Sequence, residues 1–214
     1  MNKNKKQIMI LVSMALLTAL VVVLQYFASF IRLGAYSPAL VLVPITIGAM
    51  LFGAKAGGYL GLVFGAVVLL TPGQCDAFYA ISIPGTIITV LTKGFLAGFL
   101  SGLAFHALKK KNFIVAVFVA SAFCPLTNSI IFRVGMIAFF LDMVKDGASE
   151  QNKSLFIYLF LFLTGPTFFL ELGLNLVLAP TMARIAEIIA QKLHLDAFNF
   201  LRNTKKKKVD TIVE

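Results

Sequence analysis

The stretch KNKKQIMILVSMALLTALVVVLQYFASF, residues 3–30, decides the fold class. Lys3, Lys5 and Lys6 precede an apolar run from Ile8 to Phe30 that carries no charge. A hydrocarbon core about 30 Å thick needs about 20 mostly apolar residues in a helix. The run is too long for the core of a signal peptide, and no small-residue cleavage site ends it cleanly. It reads as a retained first membrane helix over roughly Ile8 to Ala28, entered from its lysine-rich side.

The rest of the chain repeats this pattern. It is 59% hydrophobic and 13% charged, with a mean hydropathy of +0.93, which excludes a soluble globular domain. Its 214 residues allow roughly six spans and little else. The expectation is an all-α membrane protein, a six-transmembrane-helix bundle. One integral domain covers 1–201, and a basic cytoplasmic tail covers 202–214. Pro38 suits the first turn of a second helix that runs to Phe52 and stops at Gly53. The third span covers Ala56 to Leu70, and a loop from Thr71 to Pro84 leads to the fourth, Gly85 to Leu108. The fifth runs from Phe113 to Met143, with a kink or break expected at Pro125. A mixed-charge loop from Lys145 to Lys153 follows. Gly165-Pro166 divides the last apolar stretch into a surface or re-entrant piece, Leu155 to Thr164, and a sixth span, Thr167 to Ile189.

The net charge of +10 is distributed with a sidedness. Lys3, Lys5, Lys6, Lys55, Lys109 to Lys111 and Lys205 to Lys208 flank alternate span ends, whereas the opposite side carries only Arg32, Lys145 and Lys153. Positive residues mark cytoplasmic loops, so both termini are expected inside. The basic patches fix topology and touch anionic lipid of the bilayer. Nucleic acid is not the expected partner, because no soluble fold carries the charge.

Five polar residues interrupt the spans: Lys93, Asn128, Arg133, Glu171 and Asn175. An ionisable group in hydrocarbon costs a few kcal/mol or more, so each must face protein, a partner or water. Lys93 has two readings, a stem snorkelling to an interface or a cation facing the bundle, paired with Glu171 or an anionic ligand. Asn128 either satisfies a backbone carbonyl freed by Pro125 or offers donors and an acceptor to a polar substrate. Arg133 lies roughly 140° around an ideal helix from Asn128 and so points elsewhere, toward a structural ion pair. Glu171 and Asn175, at i and i+4, share a face and read as a ligand-facing pair, with a salt bridge from Glu171 to Lys93 or Arg133 as the structural alternative.

Small residues recur every four positions at Ala15 and Ala19, at Gly57, Gly61 and Gly65, and at Gly94, Gly98 and Gly102. Such faces let another backbone approach closely. Internal packing is the expectation for both glycine ladders. Spacing alone favours it for the alanines too, although a smooth face on the first helix equally suits a membrane partner. Cys75 and Cys124 lack metal-ligand spacing and read as small apolar side chains. No phosphate-binding loop, His-Glu-x-x-His or Gly-x-Ser-x-Gly occurs, and His106 and His194 stand apart at boundaries. No enzyme, metal or cofactor is indicated.

Taken in order, several segments resemble the substrate-binding S component of energy-coupling factor (ECF) vitamin transporters. They are Ala15-Leu-Leu-Thr-Ala19, Ser37 to Ala49 with Leu51-Phe-Gly53, Gly61-Leu-Val-Phe-Gly65, Leu126-Thr-Asn-Ser129 with Gly135-Met136, and Glu171 to Pro180. The pattern is closest to the branch that includes pantothenate and folate carriers. The resemblance implies a subunit of the cell membrane that captures a small water-soluble vitamin from outside. It would dock through its first helix, at Ala15 and Ala19, on a membrane T component carried by two cytoplasmic ATPases. By position, Arg32, Tyr36, Gln74, Asp76 and Tyr79 would belong to loops capping the site. Asn128, Glu171 and Asn175 would line it, and Leu155 to Thr164 would help close it. The rival expectation is an autonomous secondary transporter of a small organic solute, with Lys93 and Glu171 as its coupling pair.

Overall fold

The computed structural model describes residues 3–28 and 39–193. Arg32, Tyr36, Pro38, His194 and the basic tail lie outside the described residues. All regular structure among the described residues is helical. The helices are α1 (Lys3–Ala28), α2 (Leu42–Phe52), α3 (Ala54–Leu70), α4 (Asp76–Tyr79), α5 (Ile83–Leu108), α6 (Phe113–Phe139), α7 (Leu141–Glu150), α8 (Leu155–Ile157) and α9 (Gly165–Lys192), with a π-helical segment Tyr158–Leu163 before α9.

Four stretches are long and apolar enough to cross a membrane: Asn4–Ala28, Ile83–Leu108, Phe113–Phe139 and Leu155–Lys192. The other two apolar helices are shorter. At about 1.5 Å per residue α2 is only about 16 Å long, half of a hydrocarbon core. It is encased instead: Leu42, Ile45, Ala49 and Met50 are fully enclosed, and α2 packs against α1, α3, α5, α6 and α9. Among the described residues it starts at Leu42, four residues after the expected Pro38. It stops at Gly53, where φ of +95° turns the chain straight into α3. Only glycine takes that conformation at no steric cost.

Local chemistry sets the other ends. The Ser82 hydroxyl accepts from the Gly85 amide and Pro84 occupies the first turn of α5. Asn112 accepts from the Ile114 and Val115 amides to start α6. Pro166 sits in the first turn of α9, at the division expected from Gly165-Pro166. The fifth span differs from expectation in two ways. Pro125 does not end it, since α6 stays helical from Phe113 to Phe139. It then stops four residues short of Met143, at Phe140, whose ring packs edge-on against Phe78 with centroids 5.1 Å apart. Beyond it the mixed-charge segment is not a loop. It forms α7, which buries Val144 and Ala148 on one face and leaves Asp142 and Lys145 outside.

The two glycine ladders meet each other. A Cβ on Gly61 would run into the carbonyl oxygen of Gly94, and one on Gly98 into that of Gly57. Beside the Gly53 turn a Cβ on Gly102 would lie 2.6 Å from the Ala54 Cα. Here α3 and α5 pack backbone to backbone, so the internal packing expected of both ladders holds, and the fold makes each the other's partner. The alanine pair behaves otherwise: Ala15 and Ala19 are both exposed on α1, so the internal packing suggested by spacing does not hold. Leu11 (70% exposed) and Leu16 (67%) flank them on an apolar surface that only lipid or protein can cover.

Candidate functional site

At the helix ends farthest from Lys5, Lys6, Lys55 and Lys109 to Lys111, five helices converge on a cavity of about 100 Å³. One water needs about 10–15 Å³ of such space, so the cavity takes a small molecule. Its wall combines Gln25 of α1, Phe64 and Val68 of α3, Val90 and Lys93 of α5, Asn128, Ser129 and Phe132 of α6, and Thr167 and Glu171 of α9. Phe78 of α4 and, from the connecting segments, Ala39, Gly73, Gln74, Cys75 and Thr164 complete it.

Lys93 lies ten residues into α5, about 15 Å from its start, too deep for the helix end to solvate its ammonium. Nζ stands over two rings of the wall, 4.9 Å from the Phe132 centroid and 5.6 Å from that of Phe64. Among the described residues it has no hydrogen-bond or ion-pair partner within 4.0 Å. The snorkelling reading is therefore not what the fold adopts. Cation–π contacts give back about 0.5–2 kcal/mol to an ammonium that is half-buried at the cavity wall.

Glu171 is 5% exposed and forms no salt bridge with Lys93 or Arg133. One carboxylate oxygen accepts from the Ala39 amide at 2.8 Å, and the other from Asn128 Nδ2 at 3.4 Å. It thus ties the chain entering α2 to α6 and α9. Asn128 spends its amide on Glu171, not on the carbonyl that Pro125 frees, and its Oδ1 has no partner. The Glu171–Asn175 pair divides. Glu171 reaches the wall, whereas Asn175 lies one turn further along α9, donates to the Glu171 backbone carbonyl at 3.0 Å and is not part of the wall.

Arg133 is likewise absent from the wall. Its Nε donates to the Thr164 hydroxyl at 2.8 Å, its guanidinium lies 4.8 Å and 5.3 Å from the Phe160 and Phe168 rings, and Thr164 passes the chain of bonds to the Leu159 carbonyl at 2.9 Å. The ion pair expected of Arg133 is replaced by an aromatic and hydroxyl socket that holds the π-helical segment against α6. That segment, Tyr158–Leu163, buries Leu159 beneath α7 and delivers Thr164, the one residue of 155–164 in the described wall, to the cavity.

Of the loop residues, Gln74 faces the cavity and accepts from Gln25 Nε2 at 3.2 Å. Asp76 starts α4 with an exposed side chain, and the Tyr79 hydroxyl donates to the Leu69 carbonyl at 3.0 Å, pinning the loop to α3. Cys75 and Cys124 are buried free thiols. Burial pushes the Cys75 thiol up, with Asp76 adding to the shift and Lys93 opposing it. Sequence reasoning passed over Gln25, a polar residue inside the first span that the same rule would have found. Phe64 and Phe132 carried no signal, since one more phenylalanine among 21 is not distinctive.

No group of three or more potential metal ligands occurs among the described residues. The arrangement suits recognition: one cation, one fixed carboxylate, amides and hydroxyls set among apolar and aromatic side chains. No curated protein matches the chain. The sequence model of the family described as the substrate-specific component of ECF transporters matches residues 10–183. That match covers most of the chain, which therefore belongs to the ECF transporter substrate-specific component family.

Proposed function

We propose that this protein is the S component of an ECF-type importer, a multi-pass subunit of the cell membrane that captures a small water-soluble vitamin such as pantothenate or folate. The observation that carries the reading is the cavity itself. It lies at the end of the bundle away from the lysine clusters, and therefore toward the outside under the charge rule. Gln25, Gln74, Lys93, Asn128 and Glu171 are its recognition groups, with Arg32 and Tyr36 assigned to the capping loop by position. Six apolar helices, counting the two short ones, together with the charge rule support a topology with both termini inside.

Delivery requires an energy-coupling module, a T component with two ATPases, because the chain has no phosphate-binding loop of its own. Ala15 and Ala19, exposed on α1, form the docking face. Purified protein should bind its vitamin without ATP, as read by titration calorimetry or by native mass spectrometry of a copurifying ligand. Uptake should need the module. Accumulation by this chain alone, driven by a proton or sodium gradient, would instead establish a secondary transporter.

A further inference from the structure

We infer that the cavity selects a small monocarboxylate, with the Lys93 ammonium receiving the ligand's carboxylate. The inference rests on the vitamin-binding reading above and narrows it by charge. Lys93 and Glu171 are the only charged residues of the described wall, and they are in opposite states of use. Both Glu171 oxygens already accept hydrogen bonds, from Ala39 and Asn128. Lys93 offers three N–H donors and has no acceptor within reach among the described residues, only the Phe64 and Phe132 rings.

Charge balance selects among ligands. A cation would face Lys93 across a cavity whose one carboxylate is already engaged. A dianion such as a phosphate ester would leave its second charge uncompensated and near Glu171. A monocarboxylate neutralises Lys93 and leaves Glu171 in place. Gln25 Oε1 and Gln74 Nε2, buried at the same wall without partners, retain an acceptor and a donor for an uncharged amide or hydroxyl of the ligand.

The test is calorimetry on the purified full-length protein with matched pairs: pantothenate and pantothenol, nicotinate and nicotinamide, biotin and biotin amide. Thiamine serves as the cation and pyridoxal phosphate as the phosphate ester. Any small molecule released on denaturation is identified by mass spectrometry. Binding of an acid about 10- to 100-fold tighter than its neutral partner, or release of a carboxylic acid, supports the inference. Lys93→Gln should then abolish the acid's advantage over its neutral partner, and Lys93→Arg should retain part of the preference. Equal binding within a pair, preference for thiamine or the phosphate ester, or release of a molecule without a carboxylate overturns the charge assignment while leaving vitamin binding intact. If nothing binds and nothing is released, both readings fall. The acid–neutral comparison uses the unaltered protein, so a misfolded Lys93→Gln does not shelter the inference.

Discussion

Each carboxylate oxygen of Glu171 is committed to a different part of the chain, so the residue shapes the cavity as much as it lines it. Glu171→Ala leaves the Ala39 amide and the Asn128 side chain unsatisfied, and each buried orphan costs about 1–3 kcal/mol. The variant should melt at a lower temperature in detergent and bind ligand more weakly. Glu171→Gln, which keeps one acceptor and lets the Asn128 amide turn, should fall between it and the native protein. A melting temperature unchanged in Glu171→Ala would show that the two hydrogen bonds hold nothing. At Cys75 the thiol is raised by burial, so the reactive thiolate is scarce near neutrality. In a Cys124→Ala background, maleimide labelling should be slower than for a free cysteine at pH 7 and should accelerate only over a higher pH range. Ligand in the cavity should slow it further. Labelling at the free-thiol rate at pH 7 would contradict the burial described for this loop.

At the scale of elements, the seam between α3 and α5 is fixed by what is missing from it. Because the obstacles to a Cβ at Gly61 and Gly98 are backbone carbonyls, no rotamer change can relieve the clash. Gly61→Ala and Gly98→Ala should each destabilise by about 1–3 kcal/mol, the cost of overpacking a tight core. Gly173 is the internal control. Nothing lies within 4 Å of its Cβ position in α9, so Gly173→Ala should be neutral or stabilise by up to about 1 kcal/mol through helix propensity. Thermal unfolding of the three variants decides the matter. If all three melt alike, the close approach of α3 and α5 is not what the glycines provide.

For the whole molecule, the outward apolar face of α1 separates binding from transport. Only Val21, Gln25 and Ala28 of its described side chains are buried, all near its C-terminal end. Ala15 and Ala19 lie well before them, on the open surface. Ala15→Trp and Ala19→Trp should therefore leave folding and ligand affinity unchanged while sharply lowering uptake by cells that carry the coupling module. Loss of ligand binding in these variants would mean that the face packs within the protein, and unimpaired uptake would move the docking surface elsewhere.

Much of this protein was already legible in its residues. Apolar run length gave the membrane class and the places of the long helices, because water forbids such stretches whatever their neighbours do. Four-residue glycine spacing marked the faces of α3 and α5 that pack internally, since close backbone approach needs small residues on one face, but not that the two faces meet each other. The polar interruptions pointed to the region of the site, and the order of short segments to the family. Helix length and ligand-facing direction were not legible in the same way. The end of α6 at Phe140 follows from a ring packed against Phe78, and α2 is a short helix tolerated because other helices surround it. Glu171, Asn175 and Arg133 are equally polar in sequence. Partners far along the chain send the first to the cavity wall, while Asn175 turns to its own helix and Arg133 to Thr164 and two rings. The sequence by itself determined what must be hidden from lipid, because transfer free energy belongs to each residue. Only the tertiary structure decided which hidden group remains free for a ligand, because that depends on the partners folding brings within hydrogen-bond reach.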